Sequence, residues 1–194
     1  AQAIFIAEGL KHVMDFTRIR VLEATFALVR KGIANVLEYN ESHPDFPMED
    51  LAIVKYMRKW AILATCWGVG GSMGLHLRGE FSNKLKEAVT DVELPAFTPG
   101  TSFLEFDVNI EDQEWFPWKR KVPNVDIDPQ RVTDADLIIT TVDTLRHQEI
   151  LCSWLSEHRP FLLCGPPGSG KTMTLMSTLK ALPDFEMVFV NFSS

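Results

Sequence analysis

Residues 161–172 limit the possible folds of the chain more than any other stretch, because they contain the pattern Gly-x-x-x-x-Gly-Lys-Thr. Glycine is needed where a backbone comes close to a ligand or takes angles that other residues resist. In such a loop the main-chain N–H groups point inward and form an anion-binding concavity at the start of a helix. The pattern therefore predicts a Walker A phosphate-binding loop.

The side chains of this loop indicate which ligands it takes. Lys171 would place a positive charge on the outer phosphates, and the Thr172 hydroxyl is the right type to hold magnesium. We predict ATP or ADP with Mg2+ as cofactors and Thr172 as the metal ligand. The predicted loop residues are Gly165, Pro166, Pro167, Gly168, Ser169, Gly170, Lys171, Thr172 and Met173.

The neighbours of the loop fit the strand, loop and helix order that the motif requires. The apolar run 161–164 predicts a buried parallel strand, and residues 173–181 predict a helix with Leu175 and Leu179 one turn apart. A second apolar run, 187–192, predicts another strand. Few residues follow the loop, so we expect a piece of a longer polypeptide.

Charge and cysteine content narrow the function classes. The net charge of −7 argues against a dedicated nucleic-acid-binding protein. The three cysteines are far apart, without Cys-x-x-Cys spacing, which favours a reducing compartment over a disulfide framework or a zinc site. No stretch approaches about 18 apolar residues, so we expect no membrane insertion.

The first ninety residues predict three helices. The first spans about 7–39, with Gly32 as a candidate break; the second runs from Pro47 to about Cys66, and the third covers 75–89. The glycines at 68–74 resemble a dinucleotide-binding fingerprint, but the third glycine falls one place late and a helix precedes it. We interpret them as a helix end followed by a flexible turn.

Prolines punctuate the chain after Thr90, which indicates a structured connector. Residues 103–108 predict a strand, and the aromatic cluster 115–118 should fix the connector to its neighbours. An extended arm at 137–141 then leads into a helix that ends near Glu157, with Asp143 or Thr144 as its N-cap. We expect the buried face of this helix to contain Leu151, Trp154 and Leu155.

Beyond the loop, several strings resemble the cytoplasmic dynein heavy chains of the AAA+ family. The form GPPGSGKTMT at 165–174 is similar to the AAA+ Walker A motif, while the other strings carry the resemblance to dynein. They are NESHPDFPM at 40–48, WFPW at 115–118, KVP at 121–123, VDTLRH at 142–147 and VNFSS at 190–194.

The resemblance implies an α plus α/β architecture in three parts. Residues 1–95 would be the helical small subdomain of the second AAA+ module, and residues 96–132 a Pro-rich connector with some β structure. Residues 133–194 would begin the P-loop α/β large subdomain of the third module. In that module the arm would line the adenine with Leu137, Ile138, Ile139 and Thr140.

The resemblance also implies a function. Six such modules form a ring that moves towards microtubule minus ends, and the third gates release from the microtubule. Expected partners are neighbouring AAA+ modules, the microtubule through a stalk elsewhere, a second heavy chain and accessory chains, in a cytoplasmic, cytoskeleton-associated setting. The catalytic glutamate, sensor residues and arginine finger lie outside these 194 residues, so we expect no ATP hydrolysis by them alone.

Two other functions remain open from the residues. One is a different AAA+ remodelling ATPase, such as an unfoldase or a helicase loader. The other is an interaction scaffold whose loop binds nucleotide only structurally.

Overall fold

Four helices form most of the first part of the chain: α1 (Gln2–Glu8), α2 (Arg18–Ser42), α3 (Asp50–Gly70) and α4 (Leu75–Ala88). The computed structural model describes residues 2–98, 101–123 and 140–190. It divides into two compact units, Ala1–Arg120 and Lys121–Ser194. Within the described ranges, no helix has the length and apolar character that a membrane span requires.

Two glycines let α2 and α3 pack closely. A Cβ atom at Gly32 would overlap the Trp60 indole, whose Nε1 donates a hydrogen bond to the Leu28 carbonyl at 2.6 Å. A Cβ atom at Gly68 would lie 2.7 Å from the Cα atom of Thr25. The predicted break at Gly32 is therefore wrong, because this glycine serves interhelical contact inside a continuous helix.

The glycine-rich stretch at 68–74 contains the helix end and the turn that the sequence predicts, but the helix extends further than its predicted end near Cys66. Gly68 and Gly70 belong to the last turn of α3, and the turn itself starts at Gly71. Arg78 then braces this turn, donating from Nε to the Met73 carbonyl and from Nη2 to the Gly71 carbonyl. The turn is therefore held by side-chain hydrogen bonds.

The predicted single helix over 7–39 is interrupted between α1 and α2. The intervening segment pairs with the turn after α3, because Val13 N–H donates to the Ser72 carbonyl at 2.8 Å and His12 forms a bridge with Met73. The His12 ring also contacts the Ser72 hydroxyl at 2.7 Å. This tertiary pairing takes the backbone out of the helix.

The connector forms a small antiparallel hairpin on α3. Strands β1 (Phe106–Val108) and β2 (Trp115–Pro117) pair with Asp107 opposite Phe116. The predicted strand at 103–108 is correct only in its second half, since Phe103–Glu105 is a 3-10 turn. Phe103, which precedes β1, and Trp118, which follows β2, are both buried, as expected for aromatics that fix a connector.

A buried lysine fixes the hairpin in place. Lys59 on α3 is 1% exposed, and its Nζ lies 2.7 Å from the Glu114 carboxylate and 3.6 Å from that of Glu93. Lys55 contacts the same Glu114 carboxylate. These contacts hold the pKa of Glu114 below its ordinary value, chiefly through the hydrogen bond from Lys55 and then that from Lys59.

The second unit contains helices α5 (Val142–Ser156) and α6 (Lys171–Lys180), which pack against each other. The strands predicted at 161–164 and 187–192 are not formed: neither 161–164 nor 187–190 lies in a strand, and 191–192 fall outside the described residues. A parallel strand needs hydrogen-bonded neighbours and covered faces. Leu162 and Val188 instead expose 71% and 83% of their surfaces.

Candidate phosphate-binding site

The loop between residue 164 and α6 takes the backbone conformation that its glycines allow. Gly168 has φ 76° and Gly170 has φ 75°, both in the left-handed region that other residues rarely adopt. A Cβ atom at either position would meet no atom within 4 Å. The glycines therefore serve the backbone angles here, and the space beside them is open.

Helix α6 begins directly after Gly170 and presents its first N–H groups at the loop. The first intrahelical bond runs from Thr174 N–H to the Gly170 carbonyl at 2.9 Å. The N–H groups of Lys171, Thr172 and Met173 precede it and have no acceptor within the helix. Together with the helix dipole, they favour an anion at this end of α6.

Lys171 folds back over the loop. Its Nζ donates to the Gly165 carbonyl at 2.8 Å, to the Pro166 carbonyl at 2.6 Å and to the Ser169 hydroxyl at 3.3 Å. All three acceptors are neutral, and a phosphate oxygen is a stronger acceptor for an ammonium group. The lysine is thus placed beside the N–H donors, with acceptors that an anion can replace.

The remaining predicted loop residues lie at the surface around this lysine. Pro166 begins the turn and Pro167 lies within it, because the Ser169 N–H donates to the Pro166 carbonyl at 3.3 Å. Thr172 and Met173 are exposed on the first turn of α6. The structure therefore brings together the nine loop residues that the sequence predicts, with the backbone donors and the lysine at one end of a helix.

Helix α5 packs against α6. The Ser177 hydroxyl donates to Gln148 Oε1 at 3.2 Å, and Thr174 and Thr178 are the buried residues of α6. The predicted face of Leu175 and Leu179 is only half-buried. Small side chains that bond their own helix carbonyls, as Thr178 does to Thr174 at 2.7 Å, allow closer packing than leucines would.

The start of α5 also differs from its prediction. The N-cap is Thr141, and Thr144 is the third helical residue of a capping box that joins the two threonines. Of the predicted buried face, Leu151 is buried, whereas Trp154 and Leu155 are half-buried. The sequence predicted the helix but placed its cap two or three residues too late.

Most of the predicted adenine-contacting arm lies outside the described residues. Leu137, Ile138 and Ile139 lie outside the described residues, and Thr140 is half-exposed next to the N-cap. The arm stays a prediction. The bond between Gln148 and Ser177, which the sequence analysis missed, joins residues 29 apart, and no spacing pattern in the sequence points to it.

No other cluster in the described residues offers a competing metal site. Groups of three or more histidine, cysteine, aspartate or glutamate side chains suited to a metal ion are absent from this part of the chain. Cys66 is buried, and burial raises the pKa of its thiol, so it behaves as a packed apolar residue. The loop is therefore the strongest candidate site among the described residues.

Comparison with known proteins gives matches over nearly the whole chain. Residues 2–120 match the family model "Dynein heavy chain AAA lid domain", and residues 127–194 match "P-loop containing dynein motor region". The chain is 60% identical over 186 residues to a cytoplasmic dynein heavy chain of Paramecium tetraurelia, covering 95% of the chain. It is 50% identical to one from Dictyostelium discoideum and 41% identical to one from Drosophila melanogaster, over 94% and 95% of the chain. It spans about 4% of the length of each of these relatives.

Proposed function

The chain belongs to the dynein heavy chain family, and from this premise we propose that it is part of a motor ATPase that moves on microtubules, with residues 165–173 as a nucleotide site. The identity to several cytoplasmic dynein heavy chains over more than nine-tenths of the chain favours the motor over an unrelated AAA+ remodelling ATPase. Those relatives carry the word cytoplasmic in their names, which supports a cytoplasmic, cytoskeleton-associated setting.

We propose the same three-part division as before: residues 1–95, 96–132 and 133–194. The two family models meet between residues 120 and 127, which lies inside the proposed connector. Residues 103–108 pack on α3, and the compact unit that contains α3 extends to Arg120, so the connector up to residue 120 is part of the first unit. Neighbouring AAA+ modules, a second heavy chain and accessory chains are the proposed partners.

The residues of the loop fit a nucleotide with magnesium. Gly168 and Gly170 leave open space beside the backbone, and the first N–H groups of α6 favour negative charge there. Lys171 would contact the outer phosphates, and the Thr172 hydroxyl would hold Mg2+. Residues 137–140 would line the base.

When bound, ATP supplies a terminal phosphoryl group whose charge is present before hydrolysis and absent after release. Lys171 has neutral acceptors on its own loop, so it exchanges them for phosphate oxygens when a nucleotide enters. The loop therefore has two arrangements: one in which Lys171 contacts its own carbonyls, and one in which Lys171 contacts a negatively charged phosphate. We propose that the module uses them to gate release of the motor from the microtubule.

The observation that carries this function is the combination of two left-handed glycines with a lysine at the first position of a helix. Turns with one such glycine are common, but this combination favours an anion at the start of α6, which supports the proposal. A structural scaffold would bind nucleotide with the same loop geometry but would not change its arrangement. The experiment must therefore measure nucleotide binding and microtubule release separately.

Substituting Lys171→Ala in the complete heavy chain tests both parts. Loss of a charge-assisted contact should weaken nucleotide binding at this site by roughly 1.5–3 kcal/mol. Lys180→Ala, at the other end of α6, is the matched control. Bound nucleotide per chain and microtubule co-sedimentation with and without ATP are the measurements.

We expect the Lys171 variant to lose nucleotide at one site and to stay on microtubules when ATP is added, while the control is released. Nucleotide loss with normal release would support a structural scaffold and contradict gating. Unchanged nucleotide content would contradict the site itself. Failure of the unsubstituted chain to bind microtubules would contradict the motor.

A further inference from the structure

The turn between α2 and α3 and the first turn of α3 each present an apolar side chain to solvent. Phe46 exposes 83% of its surface and Leu51 exposes 82%. Single exposed apolar residues are ordinary on protein surfaces, but two nearly full exposures so close in sequence, Phe46 in the turn and Leu51 in the first turn of α3, are not. We call residues 43–51 the tip.

The tip is an ordered structure rather than a loose loop. The Met48 N–H donates to Asn40 Oδ1 at 2.8 Å, and Met48 itself is buried. The Phe46 N–H donates to the His43 carbonyl at 3.1 Å, and the His43 ring stacks on Tyr39 with ring centres 4.3 Å apart. The backbone at Phe46 is therefore fixed by a hydrogen bond, and little backbone ordering entropy would oppose its binding to a partner.

The charge around the tip has one sign. Between residues 32 and 54 there is no lysine or arginine. The same stretch contains five carboxylates: Glu38, Glu41, Asp45, Glu49 and Asp50.

The fold accounts for only some of these carboxylates. Glu38 pairs with Lys31 at 3.5 Å, and Asp50 lies in the first turn of α3, where a negative charge stabilises the helix. In the part of the chain that the structure describes, Glu41, Asp45 and Glu49 form no ion pair, and no group of acids could hold a metal ion.

We propose that the tip is a docking surface for a basic protein segment that carries an apolar side chain. Exposed aromatic anchors surrounded by a charged rim are typical of protein interfaces, with the anchor giving affinity and the rim selecting the partner. The negative rim repels nucleic acid and anionic lipid surfaces, so the complementary partner is a lysine- or arginine-rich stretch of polypeptide. The tip contains none of the residues of the nucleotide loop, so this inference does not depend on the proposed function.

A light-activated probe at the tip can identify the partner by its chemistry. Phe46→p-benzoylphenylalanine is placed in the complete heavy chain, purified with its bound subunits, and the cross-linked peptides are identified by mass spectrometry. Phe5→p-benzoylphenylalanine is the matched control. Phe5 is 78% exposed and lies on α1, outside the tip.

The rim is tested in the same chain by the triple change Glu41→Gln, Asp45→Asn and Glu49→Gln, which leaves Asp50 at the helix start. We expect the probe at position 46 to label a segment of net positive charge. The yield should fall at least about threefold in the triple variant, since exposed ion pairs each contribute modestly to binding. Labelling from position 5 should not change.

Three results would overturn the proposal. They are labelling of a neutral or acidic segment, a yield that the triple variant leaves unchanged, and labelling from position 46 no stronger than from position 5. All the substituted side chains are exposed, and a matching thermal unfolding temperature for each variant would confirm that the fold is intact.

Discussion

In residues 1–120 the side chains of Val21, Leu28 and Leu63 are at most 1% exposed, whereas in residues 121–194 Leu162 and Val188 are 71% and 83% exposed. The difference follows from secondary structure. A helix satisfies its own backbone hydrogen bonds, so α2 and α3 need only each other to bury an apolar face. A parallel strand needs neighbours on its edges and cover on its faces, and the apolar runs at 161–164 and 187–190 have no ladder partner.

The comparison also shows two different uses of glycine. Gly68 in the first unit allows two helices to approach, and its function depends on a residue more than forty positions away. Gly170 in the second unit allows a backbone angle, and its function is local. Substituting each one should separate packing from conformation.

The largest effect is expected for Gly68→Ala. The new Cβ atom would lie 2.7 Å from the Thr25 Cα atom, so α2 and α3 would have to separate, at about 2–3 kcal/mol of unfolding free energy. Gly79→Ala is the control, because a Cβ atom there meets nothing within 4 Å and alanine favours a helix. Urea unfolding measures both variants, and a loss in Gly68→Ala no larger than the change in the control would contradict the close packing.

An intermediate effect is expected for Glu114→Gln, which leaves the buried Lys59 ammonium with Glu93 alone. We expect a loss of about 1–2 kcal/mol, below the value for a fully buried pair because the Glu114 side chain is 44% exposed. Glu111→Gln, in the same hairpin turn, is the control. Unfolding of both variants at pH 7 provides the measurement.

The same substitution should alter the dependence of stability on pH. Contacts with Lys55 and Lys59 hold the pKa of Glu114 below its unfolded value of 4.5, so its contribution is complete above that pH and is lost as the pH falls through the lower folded value. The difference in unfolding free energy between wild type and Glu114→Gln should therefore shrink below pH 4.5. A difference that stays constant down to pH 3 would rule out the ion pairs as its cause.

The smallest effect on stability is expected for Gly170→Ala. Alanine at φ 75° should reduce stability by about 1 kcal/mol, with no steric overlap to add to it. Nucleotide binding should fall much more, because the loop would have to leave the angle that directs its N–H groups. A variant that keeps full nucleotide affinity would show that the left-handed angle is not needed at this position.

Sequence reasoning predicted what depends on near neighbours. The helix start at Leu75 and the turn that leads into α6 follow from local spacing, and the structure has both. The break before α2 was not predicted, and α3 was predicted to end too early, at about Cys66. Each feature depends on a partner distant in sequence, Ser72 for the break and Thr25 for the helical Gly68. The predictions of strands at 161–164 and 187–192 failed for the same reason, because the stability of a strand depends on hydrogen-bonded neighbours distant in sequence.

Within the candidate site the division is similar. The glycine positions and the lysine could be predicted from the motif, whereas the acceptors of Lys171 could not. Two of them are backbone carbonyls, which every residue has, so the sequence contains no sign of which ones the ammonium reaches.

Those carbonyl contacts make the loop its own competitor for the lysine. A phosphate at the proposed site would have to displace the Gly165 and Pro166 carbonyls as acceptors, so its affinity would be the difference between two sets of hydrogen bonds. A change that loosens the loop's hold on Lys171 should tighten anion binding, and a change that strengthens it should act as an inhibitor built into the chain.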